Sequence, residues 1–404
     1  MGIRNLAIVV YCTVVGFAVL YTTQPLLPLL ADEWGRPIGD TALLTTATMI
    51  PLALGPLLYG YVLEHVSTKH MLTASFGVLT LAQFAIGLGP DYPLFLLLRT
   101  LQGLMLPAIF TALMTYSSAA GGQHKTRKNI TIYIAATIFG GYSGRALSGL
   151  LTDLHSWQAA FLFWAVAALV ATWLTTRLAS DPRLRLGKVH LAEIRELARR
   201  PVYAEGLASA FLLFFVFAAI LNFLPFHMRD NDPDISQSAI ALVYTGYLVG
   251  VVIALASLRL INLVGGERRT LVAGSLVYLL GTAAFALPGN QLAYVSMLIF
   301  AAGMFTLHSV LSAFLNHLET ERKGLINGLY VSAYYCGGAL GSYLPGFIYQ
   351  GIGWSAFIAF LLLLLVLLTV LSVMLRHAPE LSLIHILTLP TIQHWCSSRW
   401  WPWQ

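Results

Sequence analysis

Apolar residues arrive in this chain in runs of about twenty, long enough to cross roughly 30 Å of hydrocarbon at about 1.5 Å per helical residue. Six such runs fall at 6–30, 41–63, 71–89, 94–116, 130–151 and 157–176, and six more at 202–226, 239–260, 271–287, 292–315, 325–349 and 354–375. Backbone groups inside a bilayer must bond within their own segment, so each run reads as a helix. The first run is too long for the apolar core of a secretory signal, ends in QPLLPLL and carries no small-residue cleavage pattern. It is expected to be retained. Composition agrees: 58% of the 404 residues are hydrophobic and 10% charged, whereas soluble domains carry roughly 25% charged residues. The expected fold is an all-α membrane protein of twelve transmembrane helices.

The net charge of +6 does not point to nucleic acid, because the basic residues sit in short loops rather than on one helix face. Loops on the side of the N-terminus hold eighteen Lys and Arg, among them Lys69, Lys125, Arg183, Arg268 and Arg322, whereas the opposite loops hold only Arg36 and Arg229. Positive loops stay in the cytoplasm. Both termini are therefore expected there. Cys12 and Cys336 lie inside apolar runs and Cys396 in the tail, so no disulfide framework is expected. The longest loop, 177–201, contains the amphipathic stretch LAEIRELARR, suited to lying along the membrane surface between two bundles.

An internal repeat organises the runs. A shift of 197 residues superposes Pro28 on Pro225, Thr48 on Thr245, Thr73 on Thr270 and Gly77 on Gly274. It also superposes Gly140, Gly141, Gly144 and Gly149 on Gly337, Gly338, Gly341 and Gly346, and Trp157 on Trp354. Two six-helix halves of parallel topology follow: residues 1–178 and 202–376, joined by a linker at 179–201. Such halves are one architecture for alternating access, with the solute site between them near the midplane. The tail, 377–404, is apolar and Trp-rich and has no counterpart in the repeat. It is set aside as non-native or disordered, the alternative being a Trp-anchored interfacial segment.

Three motifs give the chain a resemblance to the major facilitator superfamily over residues 6–375. GYVLEHVSTKH, from Gly60 to His70, is similar to the family's loop pattern, with Glu64 in place of the usual Asp and Ser67 where Gly is common. RTLQG, from Arg99 to Gly103, matches the family's Arg-x-x-Gln-Gly pattern. GGYSGRALSG, from Gly140 to Gly149, resembles the glycine-rich antiporter pattern, but Arg145 stands where Pro is typical. Bacterial members of the arabinose-efflux-like and drug-resistance-like branch look most similar. The resemblance implies a multi-pass protein of the bacterial inner membrane, working as a monomer without a cofactor. It also implies that Gly60, Glu64 and Lys69 form a gate contact at the cytoplasmic helix ends. A solvated loop pair contributing at most about 1 kcal/mol is the other reading of Glu64 and Lys69.

The remaining residues are weighed on chemistry. Gly140, Gly141, Gly144, Gly149, Gly337, Gly338 and Gly341 permit close helix approach, either for packing alone or as a sliding surface. Arg99 and Arg145 each place a charge inside an apolar run, at a cost of roughly 2.5–3.5 kcal/mol at the bilayer centre. They bind backbone carbonyls, or one of them faces a cavity and attracts a carboxylate. Their equivalents in the second half are Ser296 and Ser342, which favours the cavity: an arginine needed merely for packing would be expected twice. His308, well inside a run, is a satisfied core residue or a proton carrier. Gln102, Tyr21, Gln24, Asn222, Tyr244, Tyr247, Tyr330 and Tyr334 complete the set that could line a pathway. Among the acids only Glu205 and Asp153 approach a run, both at its end, which argues against a cationic solute.

No phosphate-binding GxxxxGK[ST] run, HExxH, Cys/His metal spacing or GxSxG elbow occurs. The expected function is therefore secondary transport of a small organic solute, by export in exchange for protons. Uptake of an organic anion with protons is the alternative. From a different class, a membrane sensor or a membrane-embedded enzyme stays open.

Overall fold

A computed structural model describes residues 3–118, 123–178, 191–319 and 322–375, and all the regular structure among them is helical. The tail 377–404, linker residues 179–190 and Cys396 lie outside the described residues. In chain order the first half contains α1 (Ile3–Tyr21), α2 (Leu27–Trp34), α3 (Ile38–His65), α4 (Thr68–Gly87), α5 (Tyr92–Ser118), α6 (Gln123–Leu154) and α7 (Trp157–Thr176). The linker carries α8 (Leu191–Arg199). The second half contains α9 (Pro201–Asn231), α10 (Gln237–Leu242), α11 (Val249–Val264), α12 (Glu267–Ala284), α13 (Asn290–Leu318), α14 (Lys323–Gly341), α15 (Pro345–Ile352) and α16 (Trp354–Met374). Nine helical stretches among the described residues are long and apolar enough to cross a membrane by length and composition.

Three apolar runs that read as single spans are interrupted. The first breaks after Tyr21 into a 3₁₀ turn, Gln24–Leu26, before α2. Pro25 and Pro28 lack the N–H groups that a continuous ladder needs there. The eighth run passes from α10 through a 3₁₀ stretch, Val243–Leu248, into α11, and the eleventh breaks between α14 and α15, where Pro345 starts the new helix. By contrast α9, the repeat partner of the first run, is continuous over 31 residues although Pro225 lies inside it.

Packing follows the repeat down to individual partners. In the first half α6 lies on α1, and in the second α14 lies on α9. A Cβ on Gly140 would stand 2.6 Å from the Val14 carbonyl oxygen, and one on Gly144 would collide with the Ala18 carbonyl. Gly337 and Gly341 meet the carbonyls of Phe211 and Phe215 in the same way, and these are Val14 and Ala18 shifted by 197. With no hydrophobic drive between helices in lipid, this backbone proximity is what supplies the contact. Across the halves, α3 packs on α14 and α6 on α10. The linker helix docks on the second half: Glu196 pairs with Arg322 at 3.3 Å and with its neighbour Arg200 at 2.7 Å.

Candidate functional site

The break after α1 turns Gln24 inward, where its Oε1 accepts from Arg145 Nε at 2.8 Å. Arg145 Nη1 donates to the Gly141 carbonyl one turn back on α6, at 2.7 Å. The guanidinium is fully buried and lies over three rings, Tyr21 at 4.0 Å, Tyr244 at 5.0 Å and Tyr247 at 5.2 Å from their centroids. Tyr21 belongs to the first half, Tyr244 and Tyr247 to the 3₁₀ stretch of the second, so Arg145 sits between the halves. Aromatic faces attract a cation but do not neutralise it. The Tyr247 hydroxyl lies near enough to the guanidinium for a side-chain hydrogen bond to count in its electrostatics, but among the described residues no acceptor meets Nη2 at hydrogen-bond distance and angle, and the neighbouring Gln24 Nε2 is also without one. Two buried donors thus lie unbonded on one polar cluster, and unmet buried donors are costly.

Arg99 is placed differently. Its Nε donates to the Leu44 carbonyl at 3.0 Å, Nη1 to the Val19 carbonyl at 3.1 Å and to Gln102 Oε1 at 2.8 Å, and Nη2 to the Leu20 carbonyl at 2.8 Å. Gln102 continues to Gln83 Oε1 at 2.7 Å. Every one of these partners belongs to the first half. Val19 and Leu20 have carbonyls freed by the break after Tyr21, and the guanidinium satisfies them where water cannot. The second half has no such break, because α9 runs on through the equivalent residues Val216 and Phe217. Ser296 therefore suffices there, bonded to its own helix at the Leu292 carbonyl. Packing does not demand an arginine twice at this position, because the halves differ locally in backbone.

At the position equivalent to Arg145, Ser342 meets Thr46 of the first half, hydroxyl to hydroxyl, at 2.7 Å. Its carbonyl accepts from Asn222 Nδ2 at 2.8 Å, and Asn222 Oδ1, buried, has no partner among the described residues. Tyr244 links the two levels, since its ring lies against Arg145 and its hydroxyl donates to the carbonyl of Leu221, beside Asn222, at 2.7 Å. Further along α14, Tyr330 hydrogen-bonds His308 Nδ1 at 2.8 Å, and Tyr334 stacks on Phe214 and approaches the His308 ring. The structure thus brings Tyr21, Gln24, Arg145, Tyr244 and Tyr247 into one cluster, with Asn222 beside it. His308, Tyr330 and Tyr334 group on α13 and α14, and Tyr334 also lies within electrostatic reach of Tyr21 and Tyr247, so the two groups adjoin.

The end of the bundle away from the termini is closed by contacts across the halves. Asp153, at the end of α6, accepts from the backbone N–H groups of Gln237 and Ser238 at 2.9 and 2.8 Å, and from the Ser238 hydroxyl. Gln350, with its amide oxygen turned inward, accepts from Ile38 N at 2.8 Å and Gly39 N at 3.2 Å. Asp153 and Gln350 are related by the 197-residue shift. So are Asp32 and Arg229, which pair with each other at 3.1 Å. In the sequence Asp153 stands only as an acid at the end of a run, and Gln350 carries no signal of its own. The repeat register was the signal that links them. Gly149 closes on Gln237 and Ala241 at the same place. Of the loop motif, Lys69 donates to the Leu178 carbonyl at 2.9 Å, while Gly60 and Glu64 lie in α3 with surroundings outside the described residues. Gly338 faces Phe214, and Gly141 faces Tyr21 and Arg145.

Comparisons with known proteins agree with this architecture. The inner membrane transport protein YnfM of Escherichia coli (strain K12) is 25% identical over 365 residues, covering 85% of this chain and 84% of YnfM. An uncharacterized transporter of Buchnera aphidicola subsp. Baizongia pistaciae is 26% identical over 332 residues, covering 80% and 81%. Among solved structures, an inward-facing, occupied bacterial homolog of the human lysosomal transporter Spinster superposes with a TM-score of 0.76 at 14% identity, covering 93% of this chain and 98% of that one. The nucleoside transporter NupG gives 0.75 at 12%, covering 92% and 98%. These two likenesses speak for the fold alone. The model of the Major Facilitator Superfamily matches residues 9–317 and 231–385; the chain belongs to that superfamily, is a membrane transporter of small solutes and is not an enzyme.

Proposed function

We propose that this transporter exports a small organic anion in exchange for protons, by alternating access between two six-helix halves, 1–178 and 202–376, that together make twelve spans. The observation that carries this reading is the Arg145 guanidinium, buried at the interface with Nη2 unbonded and no carboxylate among its described partners. A buried cation without a counter-charge is expensive in a membrane, and an anionic solute supplies the missing charge. The planar, delocalised guanidinium suits a carboxylate. Solute reaches the cluster when the halves part. Export against protons follows the glycine-rich α6 pattern, and His308, hydrogen-bonded to Tyr330, is the group that carries the proton.

The protein works as a monomer in the bacterial inner membrane, with both termini in the cytoplasm, a reading supported by the excess of Lys and Arg in the loops on their side. The closed distal end is then the periplasmic gate. The test is reconstitution into liposomes with an imposed pH gradient, offering organic anions and organic cations in turn. Anion-dependent proton movement, abolished by Arg145→Met for the solute and by His308→Gln for the proton, is expected. Proton movement with cations alone, or with no solute class, sinks the reading.

A further inference from the structure

The 197-residue repeat relates two polar pairs at one level of the interface. In the first half Gln24 Oε1 accepts from Arg145. In the second, Asn222 Nδ2 donates to the carbonyl of Ser342, the equivalent of Arg145, from a position equivalent to Pro25, next to Gln24. The unbonded atoms of the two pairs are of opposite kinds. The first half leaves two donors, Arg145 Nη2 and Gln24 Nε2, and the second leaves one acceptor, Asn222 Oδ1. All three residues are fully buried. Tyr244 spans them, with its ring on Arg145 and its hydroxyl on the carbonyl preceding Asn222.

We propose that the solute is a hydroxycarboxylate: its carboxylate accepts from Arg145 Nη2 and Gln24 Nε2, and its hydroxyl donates to Asn222 Oδ1, which makes Asn222 the specificity-determining residue. This rests on the organic-anion reading above. A carboxylate alone leaves Asn222 Oδ1 unmet, and a buried acceptor without a donor costs about 1–3 kcal/mol. An ammonium donor fits less well, because no carboxylate is among the described partners of Asn222 or Arg145. A neutral hydroxyl satisfies the acceptor without adding charge. Because the anion contacts lie in one half and the hydroxyl contact in the other, only a solute bearing both groups ties the halves together. Sites built to hydrogen-bond a hydroxyl discriminate strongly against analogues lacking it.

The test uses the purified full chain and matched acids that differ only by a hydroxyl: lactate against propionate, 2-hydroxyhexanoate against hexanoate, mandelate against phenylacetate. Binding is read by tyrosine and tryptophan fluorescence and by counterflow in liposomes. In at least one pair the hydroxylated acid is expected to bind about tenfold more tightly or better. Asn222→Leu should bring that ratio to within about threefold; Asn222→Val, which likewise lacks an acceptor, serves where the leucine form does not fold. Equal binding within every pair, or a preference that survives both substitutions, overturns the proposal. If no acid binds while an organic cation such as tetraphenylphosphonium does, the organic-anion reading fails with it. Plain acids that bind through Arg145 without hydroxyl preference overturn only this step.

Discussion

Arg99 and Arg145 resemble each other in the sequence, each an arginine inside an apolar run, yet their partners assign them opposite work. Arg99 has three backbone carbonyls and two side-chain oxygens, Gln102 Oε1 and Thr48 Oγ1, all in the first half. Its loss strands buried acceptors, so Arg99→Met should destabilise the protein by about 2–5 kcal/mol. Arg145 leaves a donor unbonded, and removing an uncompensated charge relieves a cost. Arg145→Met should therefore melt at or above the wild-type temperature while losing at least about tenfold in anion transport, as functional sites held against stability do. Melting in detergent and uptake into liposomes, measured on the same preparations, check both. Equal melting losses for the two variants would contradict the assignment. The serine at each equivalent position was visible in the sequence, but its meaning differs. Opposite Arg99 it reflects an unbroken α9. At Arg145 it marks the other side of the interface.

Among elements, the close pairs α1–α6 and α9–α14 depend on absent side chains. Gly144→Ala and Gly341→Ala each push a methyl into a facing carbonyl, of Ala18 and Phe215, and should each cost about 1–3 kcal/mol. Gly324→Ala, with nothing within 4 Å of the added carbon, should be close to neutral. Melting curves of the three variants decide this. The linker helix α8 is held by charge instead. Arg322 holds the Glu196 carboxyl below its usual range, through a hydrogen bond and its positive charge. A depressed acid contributes above its ordinary range and loses that contribution as pH falls through the lowered value. Hydrogen-exchange protection over 191–199, taken relative to the intrinsic rate at each pH, should accordingly fall from neutral into acid solution, and Arg322→Gln should lower it already at neutral pH. The pair is exposed, so the effect is local and weakens with salt. Helix existence was legible from run length, because the bilayer fixes it. The interruptions at Tyr21, Leu242 and Gly341 were not, since a proline in an apolar run breaks the ladder in one place, as Pro25 and Pro345 do, and is carried within it in another, as Pro225 is in α9.

At the scale of the whole molecule, the two halves meet at the distal end through related contacts: Asp153 on α10, Gln350 on α3, and Asp32 with Arg229 between them. Each side-chain oxygen caps backbone N–H groups at the start of a helix in the other half. Replacing both, as Asp153→Leu with Gln350→Leu, should shift the population toward a distally open form. Spin labels at Arg36 and Asp234, on opposite halves, should then report a longer distance. An unchanged distance distribution would remove these contacts from gating. The sequence by itself determined the class, the helix-forming runs and the repeat, because hydrocarbon thickness and a duplicated register act on residues close in the chain or at one constant offset. Which arginine braces a backbone break and which one faces the other half was decided only in the tertiary structure. That depends on which carbonyls a broken helix leaves free, and on groups brought together across 121 residues between Gln24 and Arg145.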